Sequence, residues 1–557
     1  MVAFSGNGAG ALVTSLRRLG IRRIFGVPGE SFISVLDDLG TANDIEYVVT
    51  RQEGGASFMA EAEGKLTGKP GVLMLARGPG GANAMAGLHA ALQDSTPLIA
   101  FVGLIPRGYS GREAFQEIDV PKFFGGVAKW AVTVEDPARL PEIITRAYSM
   151  ACAGRPGPVV IGLPEDMLEQ AVELELADAA PAIPTAAPMA SQIDDVIAAL
   201  NKAERPLAVV GGSLWSDDTR QQFERIASAA NLPVATAFRC QDYCDNMMDG
   251  YVGHLGIGMD PALKPLVQSA DLIFAVGARL DEHTTAGYTL LHSPSPVQTL
   301  IHVHPSGEEL HKIYQADVPV CCDPRAFVDA LEQASHSLDA GADRTDWHKR
   351  AGDVYRAFAQ PKPIPGDVQL ADVILALREA LPNNAVISNG AGNYAGWVHR
   401  YFAFRQYRTQ LAPTSGSMGY GLPAAIAAAI EDPSRQAVAV AGDGCLQMTI
   451  QELATAKAYN LPVLVLVVNN GSLGAIRMHQ ERAYPERVYA TDLANPDFIA
   501  IAKAYGWHAA QVTRTDQFQP ALDDALSSSD PALIELVVPI EALTAGASLT
   551  DIRAAAR

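Results

Sequence analysis

The sequence predicts an α/β protein made of three consecutive doubly wound parallel-sheet domains. Apolar runs of strand length alternate with helical patterns along the whole chain. GVLMLA (71–76), PLIAFVG (97–103) and PVVIGLP (158–164) mark a first sheet region. PLAVVGG (206–212), LPVATA (232–237), DLIFAVGA (271–278) and TLIHVHP (299–305) mark a second, and NAVISNG (384–390), QAVAVAGDG (436–444), LPVLVLVVNN (461–470) and PALIELVV (531–538) a third. Strands without polar alternation, set between helices, belong to parallel sheets covered on both faces. A Pro- and Ala-rich stretch (177–190) and a polar one ending in QPKPIPGD (337–367) read as linkers. They place domains at 1–176, 191–336 and 366–540. The length of 557 residues suits two to four domains. The similar layout of runs in the first and third regions hints at related folds.

The composition narrows the class of function. With 48% hydrophobic and 19% charged residues, the chain is an ordinary core-rich globular protein. A formal net charge of −20 argues against nucleic acid or an anionic membrane as partner. The start, MVAFSGNGAG, has neither a basic nor an apolar leader region, and no uncharged apolar run reaches membrane-spanning length, so a cytoplasmic protein is expected. Cys152, Cys240, Cys244, Cys321, Cys322 and Cys445 lack the paired CxxC spacing of a zinc site and read as free thiols.

One stretch carries chemistry. The run AVAVA ends on Gly442-Asp443-Gly444, placing a carboxylate where a buried strand stops. A buried unpaired charge costs several kcal/mol, so a positive partner is expected. Ligands of open parallel sheets bind beyond the carboxyl ends of the strands. The two glycines allow close backbone approach, and the helix that follows offers free N–H groups to an anion. After a helix and a return strand comes Asn469-Asn470-Gly471, beside the first strand end. Asp443, the side-chain oxygen of Asn470 and a backbone carbonyl near Ser472 are hard ligands that suit Mg²⁺ or Ca²⁺ bridging to a diphosphate. A tight turn and a strand cap would explain either motif alone; the pair at this spacing is far more specific.

GDG followed by NN resembles the motif of thiamine diphosphate (ThDP) enzymes. FGVPGESFISVLDDL (25–39), RQEGGASFMAEAEGKLTGKPGV (51–72), ARGPGGANAMAGLHAALQDSTPLI (76–99), GREAFQEIDV (111–120) and GRPGPVVIGLPEDM (154–167) are similar to the pyrimidine-binding domain of the acetolactate synthase and pyruvate oxidase group. TSGSMGYGLPAAIAAAI (414–430) and the GDG–NN unit are similar to its diphosphate-binding domain. The resemblance implies a homodimer or homotetramer, each site lying between the pyrimidine domain of one chain and the diphosphate domain of its neighbour.

It also implies roles. Glu53 would contact the aminopyrimidine ring, its carboxyl raised by an apolar interface so that it shares a proton and favours the C2 ylide. Met418 would wedge beneath the cofactor, and the Gly416 carbonyl would accept from its amino group. Gly390, Gly392, Asn393 and Tyr394 resemble the loop that grips the diphosphate, with Gly442, Gly444, Cys445, Ser472 and Gly474 beside it. Phe115 and Gln116 match a segment facing the thiazolium. The implied reaction is decarboxylation or carboligation of a 2-keto acid through an enamine, with Gln116, His479 and His283 steering protons. No His-His pair of the pyruvate decarboxylase kind is present.

Three positions depart from the acetolactate synthases. His283 stands for an arginine that meets the second keto acid, His479 for a tryptophan of the acceptor pocket, and Glu165 for a lysine. An imidazole clamps a carboxylate less well than a guanidinium does, which suggests an aldehyde or a less charged acceptor. TAFRCQDYCDNM (236–247) replaces a glycine-bearing turn, which argues against FAD without excluding it. Two alternatives remain: a C–C lyase of the 2-hydroxyacyl-CoA or benzaldehyde-lyase type, for which no clear basic cluster is visible, and a non-catalytic ThDP-binding paralogue, disfavoured because Glu53, Met418, Asp443 and Asn470 are all retained. The tail PIEALTAGASLTDIRAAAR reads as a lid or as a solvated helix.

Overall fold

A computed structural model describes residues 2–42, 44–176, 179–339 and 344–556. Three six-stranded sheets, every strand pair parallel, carry the chain. Counting strands in chain order within each sheet, the first (Arg23–Pro164) runs 2-1-3-4-6-5, and the third (Val386–Val537) runs 2-1-3-4-6-5 as well. The related folds hinted at by the sequence are thus a shared winding. The middle sheet (Pro206–Cys321) runs 3-2-1-4-5-6. A short antiparallel pair, Val2–Asn7 with Ala171–Leu176, ties the two ends of the first domain together.

The first and third domains share one hydrophobic core. Helix Glu53–Thr67 is capped by the Gln52 side chain, which accepts from Gly54 and Gly55 N–H, and ends on Gly68 in the left-handed conformation. It packs on helix Gly421–Glu431, whose run of alanines allows close approach. Phe58 and Tyr420 meet edge to face at 5.4 Å. Buried Arg23 bridges the two domains through Glu63 (2.9 Å) and Glu431 (2.7 Å), although burial still pushes the Glu63 carboxyl up to about 7.

Part of the second linker proves to be structured. Residues Arg344–Phe358 form a helix that buries Trp347 and Ala351 and stacks Tyr355 on Tyr251 at 4.7 Å. Its polar composition reflects one solvated face. Residues 177–178 and 340–343 of the two linkers lie outside the described residues. All six cysteines are free. Among the described residues no helix is long and apolar enough to cross a membrane.

Candidate functional site

The register of the third sheet builds the site. Gly442 pairs with Val468, so strands Ala437–Gly442 and Leu464–Asn469 end level and set Asp443 beside Asn469-Asn470. Asp443 opens the short helix Asp443–Leu446 and is 3% exposed. Three N–H donors within the protein hold it. Oδ1 accepts from Gly444 N (2.9 Å); Oδ2 accepts from Gly471 N (2.9 Å) and from Asn495 Nδ2 (2.7 Å). A carboxylate has about four acceptor positions, so the group is solvated by the protein and retains capacity toward the cleft it faces.

That cleft encloses about 860 Å³ and is lined by Gly392, Asn393, Tyr394, Asp443, Asn470 and Ser472 among others. Gly416, Met418, Gly442, Gly444, Cys445 and Gly474 also line it. Gly390 lies just behind, its N–H donating to Tyr394 Oη at 3.0 Å and its carbonyl accepting from Arg239 at 3.0 Å. A Cβ at Gly442 would stand 2.8 Å from the Tyr394 ring, and one at Gly390 2.7 Å from Cys445 Sγ. Tyr394 Oη donates to Cys445 Sγ at 3.1 Å, and burial raises both groups, so Cys445 is a neutral thiol rather than a nucleophile. Asn470 Oδ1 accepts from Ser472 N (3.1 Å), and the Ser472 carbonyl accepts from Gly474 N (2.8 Å). Asp443, Asn470 and Ser472 thus line the same cleft. No cluster of three His, Cys, Asp or Glu side chains stands among the described residues.

Five expected residues, Glu53, Phe115, Gln116, His479 and His283, do not line the cleft within the chain. Glu53, half-buried at the first position of its helix, accepts from Asn83 Nδ2 at 2.9 Å and does not line the cleft. Phe115 is 72% exposed, and Gln116 takes φ +65° in a loop wrapped around Glu117. His479 is exposed on helix Gly474–Ala483 and does not line the cleft, which Ile476, one turn earlier, does. His283 stacks on Phe238 at 5.3 Å. Glu165 pairs with Arg77 at 3.0 Å.

Two contributions escaped the sequence. Asn495 reaches Asp443 because residues 491–493 pair with the 471–473 turn (Leu473 N to Thr491 O and Leu493 N to Gly471 O, both 2.8 Å). No motif marks it. The tail packs at the site rather than standing as a solvated helix: Ala542 and Leu543 wall the cleft, and Leu543, Leu549 and Ile552 pack with Met478.

A second cavity, of about 1060 Å³, lies where the three domains meet and is lined by Lys65, Gly212, Arg239, Arg279, Arg325 and Arg408. A basic cluster is therefore present after all, drawn from distant segments. Lys65, Arg279 and Arg325 are paired with Asp94, Glu309 and Asp323, whereas the buried Nε atoms of Arg239 and Arg408 have no partner. Arg239 takes φ +59° in the turn where glycine was expected.

A glycine-lined cleft at the carboxyl edge of a parallel sheet, with a buried carboxylate facing it and free backbone N–H groups at a helix start, is the place where a fold of this class takes a phosphorylated cofactor. Comparison with known proteins names the family. Three family models match in order: thiamine pyrophosphate enzyme, N-terminal TPP binding domain (residues 6–123), central domain (193–331) and C-terminal TPP binding domain (390–536). Thiamine pyrophosphate is ThDP under its other name. The chain is 31% identical to acetolactate synthase isozyme 2 large subunit of Escherichia coli over 96% of this chain and 95% of that protein. It is 32% identical to the acetolactate synthase large subunit of Parasynechococcus marenigrum (96% and 87%) and 30% identical to that of Corynebacterium glutamicum (98% and 90%). The chain belongs to the thiamine pyrophosphate enzymes, in the acetolactate synthase and pyruvate oxidase group. It is a ThDP-dependent, acetolactate synthase-like enzyme of the carboligase kind.

Proposed function

We propose that the enzyme uses ThDP and Mg²⁺ to decarboxylate a 2-keto acid and to pass the remaining fragment to an acceptor carbonyl or to a proton. The observation that carries this reading is the buried Asp443 carboxylate, held by three N–H donors and still open toward a glycine-lined cleft. In this reading Asp443, Asn470 and the Ser472 carbonyl hold the cation, and the glycines of 390–392, 442–444 and 474 make room for the diphosphate beside Asn393, Tyr394 and Cys445. Gly416 and Met418 meet the middle of the cofactor. When bound, ThDP supplies the electron sink that accepts the pair left by departing CO₂.

Glu53, Phe115 and Gln116 act from a second copy of the chain, because in their own chain they do not line the cleft. Large exposed apolar side chains on the elements around both parts, among them Phe115, Met448, Ile476 and Tyr489, support a homodimer or homotetramer. His479, exposed beside the cleft-lining Ile476, and His283 would then face acceptor rather than cofactor. The domains at 1–176, 191–336 and 366–540 serve as pyrimidine-binding, middle and diphosphate-binding units of a cytoplasmic enzyme that acts on small molecules and takes neither nucleic acid nor membrane as partner.

A second reading, the 2-hydroxyacyl-CoA lyase, is favoured by the cavity between the domains. Its lining by Lys65, Arg279, Arg325 and Arg408 suits an anionic nucleotide, and Arg239 in place of a glycine makes that ligand something other than FAD held in the family's manner. The deciding experiment incubates the purified protein with ThDP and Mg²⁺ and follows CO₂ and products by mass spectrometry. Pyruvate, longer 2-keto acids, glyoxylate, aldehydes and 2-hydroxyacyl-CoA compounds form the panel. CO₂ release from a 2-keto acid sustains the first reading; cleavage of a hydroxyacyl-CoA without turnover of any keto acid replaces it with the second.

A further inference from the structure

Glu452 is a carboxylate that none of these roles uses. It sits in the turn Ile450–Glu452, shortly after Asp443, and is fully buried. From the third domain it reaches into the first. Oε1 accepts from Gln52 N (3.1 Å) and Arg51 N (3.2 Å), and Oε2 from Thr455 Oγ1 (2.6 Å). Those two backbone donors belong to the residues directly before Glu53. A Cβ on Gly55 would stand 2.6 Å from Oε1, so the approach depends on glycine there. From the end of the next helix, Tyr459 Oη accepts from Val49 N (2.8 Å) and donates to the Tyr47 carbonyl (3.3 Å). The connection from strand Glu46–Val49 to helix Glu53–Thr67 is thus held along its length by Glu452 and Tyr459 of the same chain's third domain.

We propose that Glu452 is a positioning residue that aims Glu53 by holding the Arg51 and Gln52 N–H groups. Without it, two backbone donors at a partly buried turn lose their acceptor, and such a turn rearranges to find another. Glu53 stands at the first position of its helix, so its direction follows the backbone just before it. The inference rests on the reading that sites lie between chains. On that reading Glu452 follows the Asp443 of one cleft while the Glu53 it aims serves the other. Each chain then carries a mechanical link between two active sites.

Mixed dimers made from differently tagged chains test this, with hydrogen–deuterium exchange at C2 of bound ThDP as the substrate-free readout. A chain carrying Asp443→Ala is paired with a wild-type chain. The one live cleft then combines the wild-type third domain with Glu53 of the Asp443→Ala chain. Glu452→Ala placed in the Asp443→Ala chain is expected to slow exchange at the live cleft about 10–100-fold, with ThDP affinity unchanged. Placed in the other chain, it should leave exchange at the level of the parent hybrid. Glu452→Gln, which keeps an acceptor oxygen and guards against a folding defect, should recover most of the rate. Slowing from both placements, or only from the other chain, overturns the proposal. A control hybrid pairs Asp443→Ala with Glu53→Gln: half of the exchange survives if sites lie between chains. None survives if they lie within one chain, which overturns the between-chain reading itself.

Discussion

The first and third domains wind their strands in the same order, yet three of the loops at their carboxyl edges carry different groups. After the third strand of each sheet, the first domain places Arg77 and the third domain Asp443. After the second strand come Glu53 in one and Gly416-Met418 in the other; after the fourth, Phe115-Gln116 in one and Asn470-Ser472 in the other. Arg77 is neutralised by Glu30 and Glu165, each at 3.0 Å. Asp443 is held by neutral N–H donors alone, so at this strand end the third domain keeps an anion open toward its cleft, whereas the first domain's charge is already paired. The winding supplies a ligand position beyond the strand ends; the charge at one residue, and how it is already satisfied, decides what occupies it.

The comparison breaks most completely at Asp443. Asp443→Ala should lose Mg²⁺ and ThDP binding together, each weakened by more than about 100-fold, since a first ligand matters at least as much as its supports. Titration of both by intrinsic fluorescence checks this, and retained ThDP affinity would refute the cation bridge. The next largest effect falls on the first domain. Glu53→Gln should slow C2–H exchange by about 100-fold or more while ThDP stays bound, separating an edge that binds from an edge that tunes. Equal loss of binding from both variants would mean that the two edges share one task.

Asn495→Ala sharpens the contrast by removing one of the three donors that orient Asp443. Its Nδ2 also donates to Asn469 Oδ1 at 2.9 Å, locking the two strand ends together. Metal affinity should fall about 10-fold, the lower end for an outer support, and isothermal titration with Mg²⁺ in the presence of ThDP measures it. Unchanged affinity would show that the backbone donors of Gly444 and Gly471 suffice.

The parts of this site legible in the sequence are those made by consecutive residues. Continuous apolar strands fixed the sheet type, and Gly442-Asp443-Gly444 with Asn469-Asn470 marked two adjacent strand ends, because in a parallel sheet such ends fall level. Asn495 was not legible, since it arrives through a loop pairing that no periodicity announces. Nor was the basic lining of the interdomain cavity: Lys65, Arg239, Arg279 and Arg408 are scattered singly and converge only when the domains pack. The helix Arg344–Phe358 read as a linker because its buried stripe is narrow, with Trp347 and Ala351 carrying most of it. Glu452 looked like an ordinary residue of an amphipathic helix, and its reach to Arg51 and Gln52 is visible only across the domain boundary.

The smallest effect concerns how the third domain's edge is closed. Arg553 of the C-terminal helix Leu549–Ala555 donates to both oxygens of Glu481 (2.9 and 2.8 Å), and Arg477 adds a third bond at 3.0 Å. This pins the tail onto helix Gly474–Ala483 and keeps Leu543 against the cleft. The hydrogen bonds from Arg553, with those from Glu486 N–H and Arg477, draw the Glu481 carboxyl down to about 2. An unfolded glutamate titrates near about 4.3. Because the folded value is the lower one, the stabilisation is complete above about 4.3 and is lost as pH falls from there toward 2. Arg553→Ala should cost about 1–2 kcal/mol of tail docking at neutral pH, read as faster amide exchange over residues 541–555 with the sheet core unaffected. In Glu481→Gln the docking should already be weak at neutral pH and should change little between pH 5 and about 2. A tail whose exchange in the wild-type protein is flat over that range would show that Leu543, Leu549 and Ile552 hold it by apolar contact alone. The third domain's edge would then be closed by packing, and its charge would serve the cleft only.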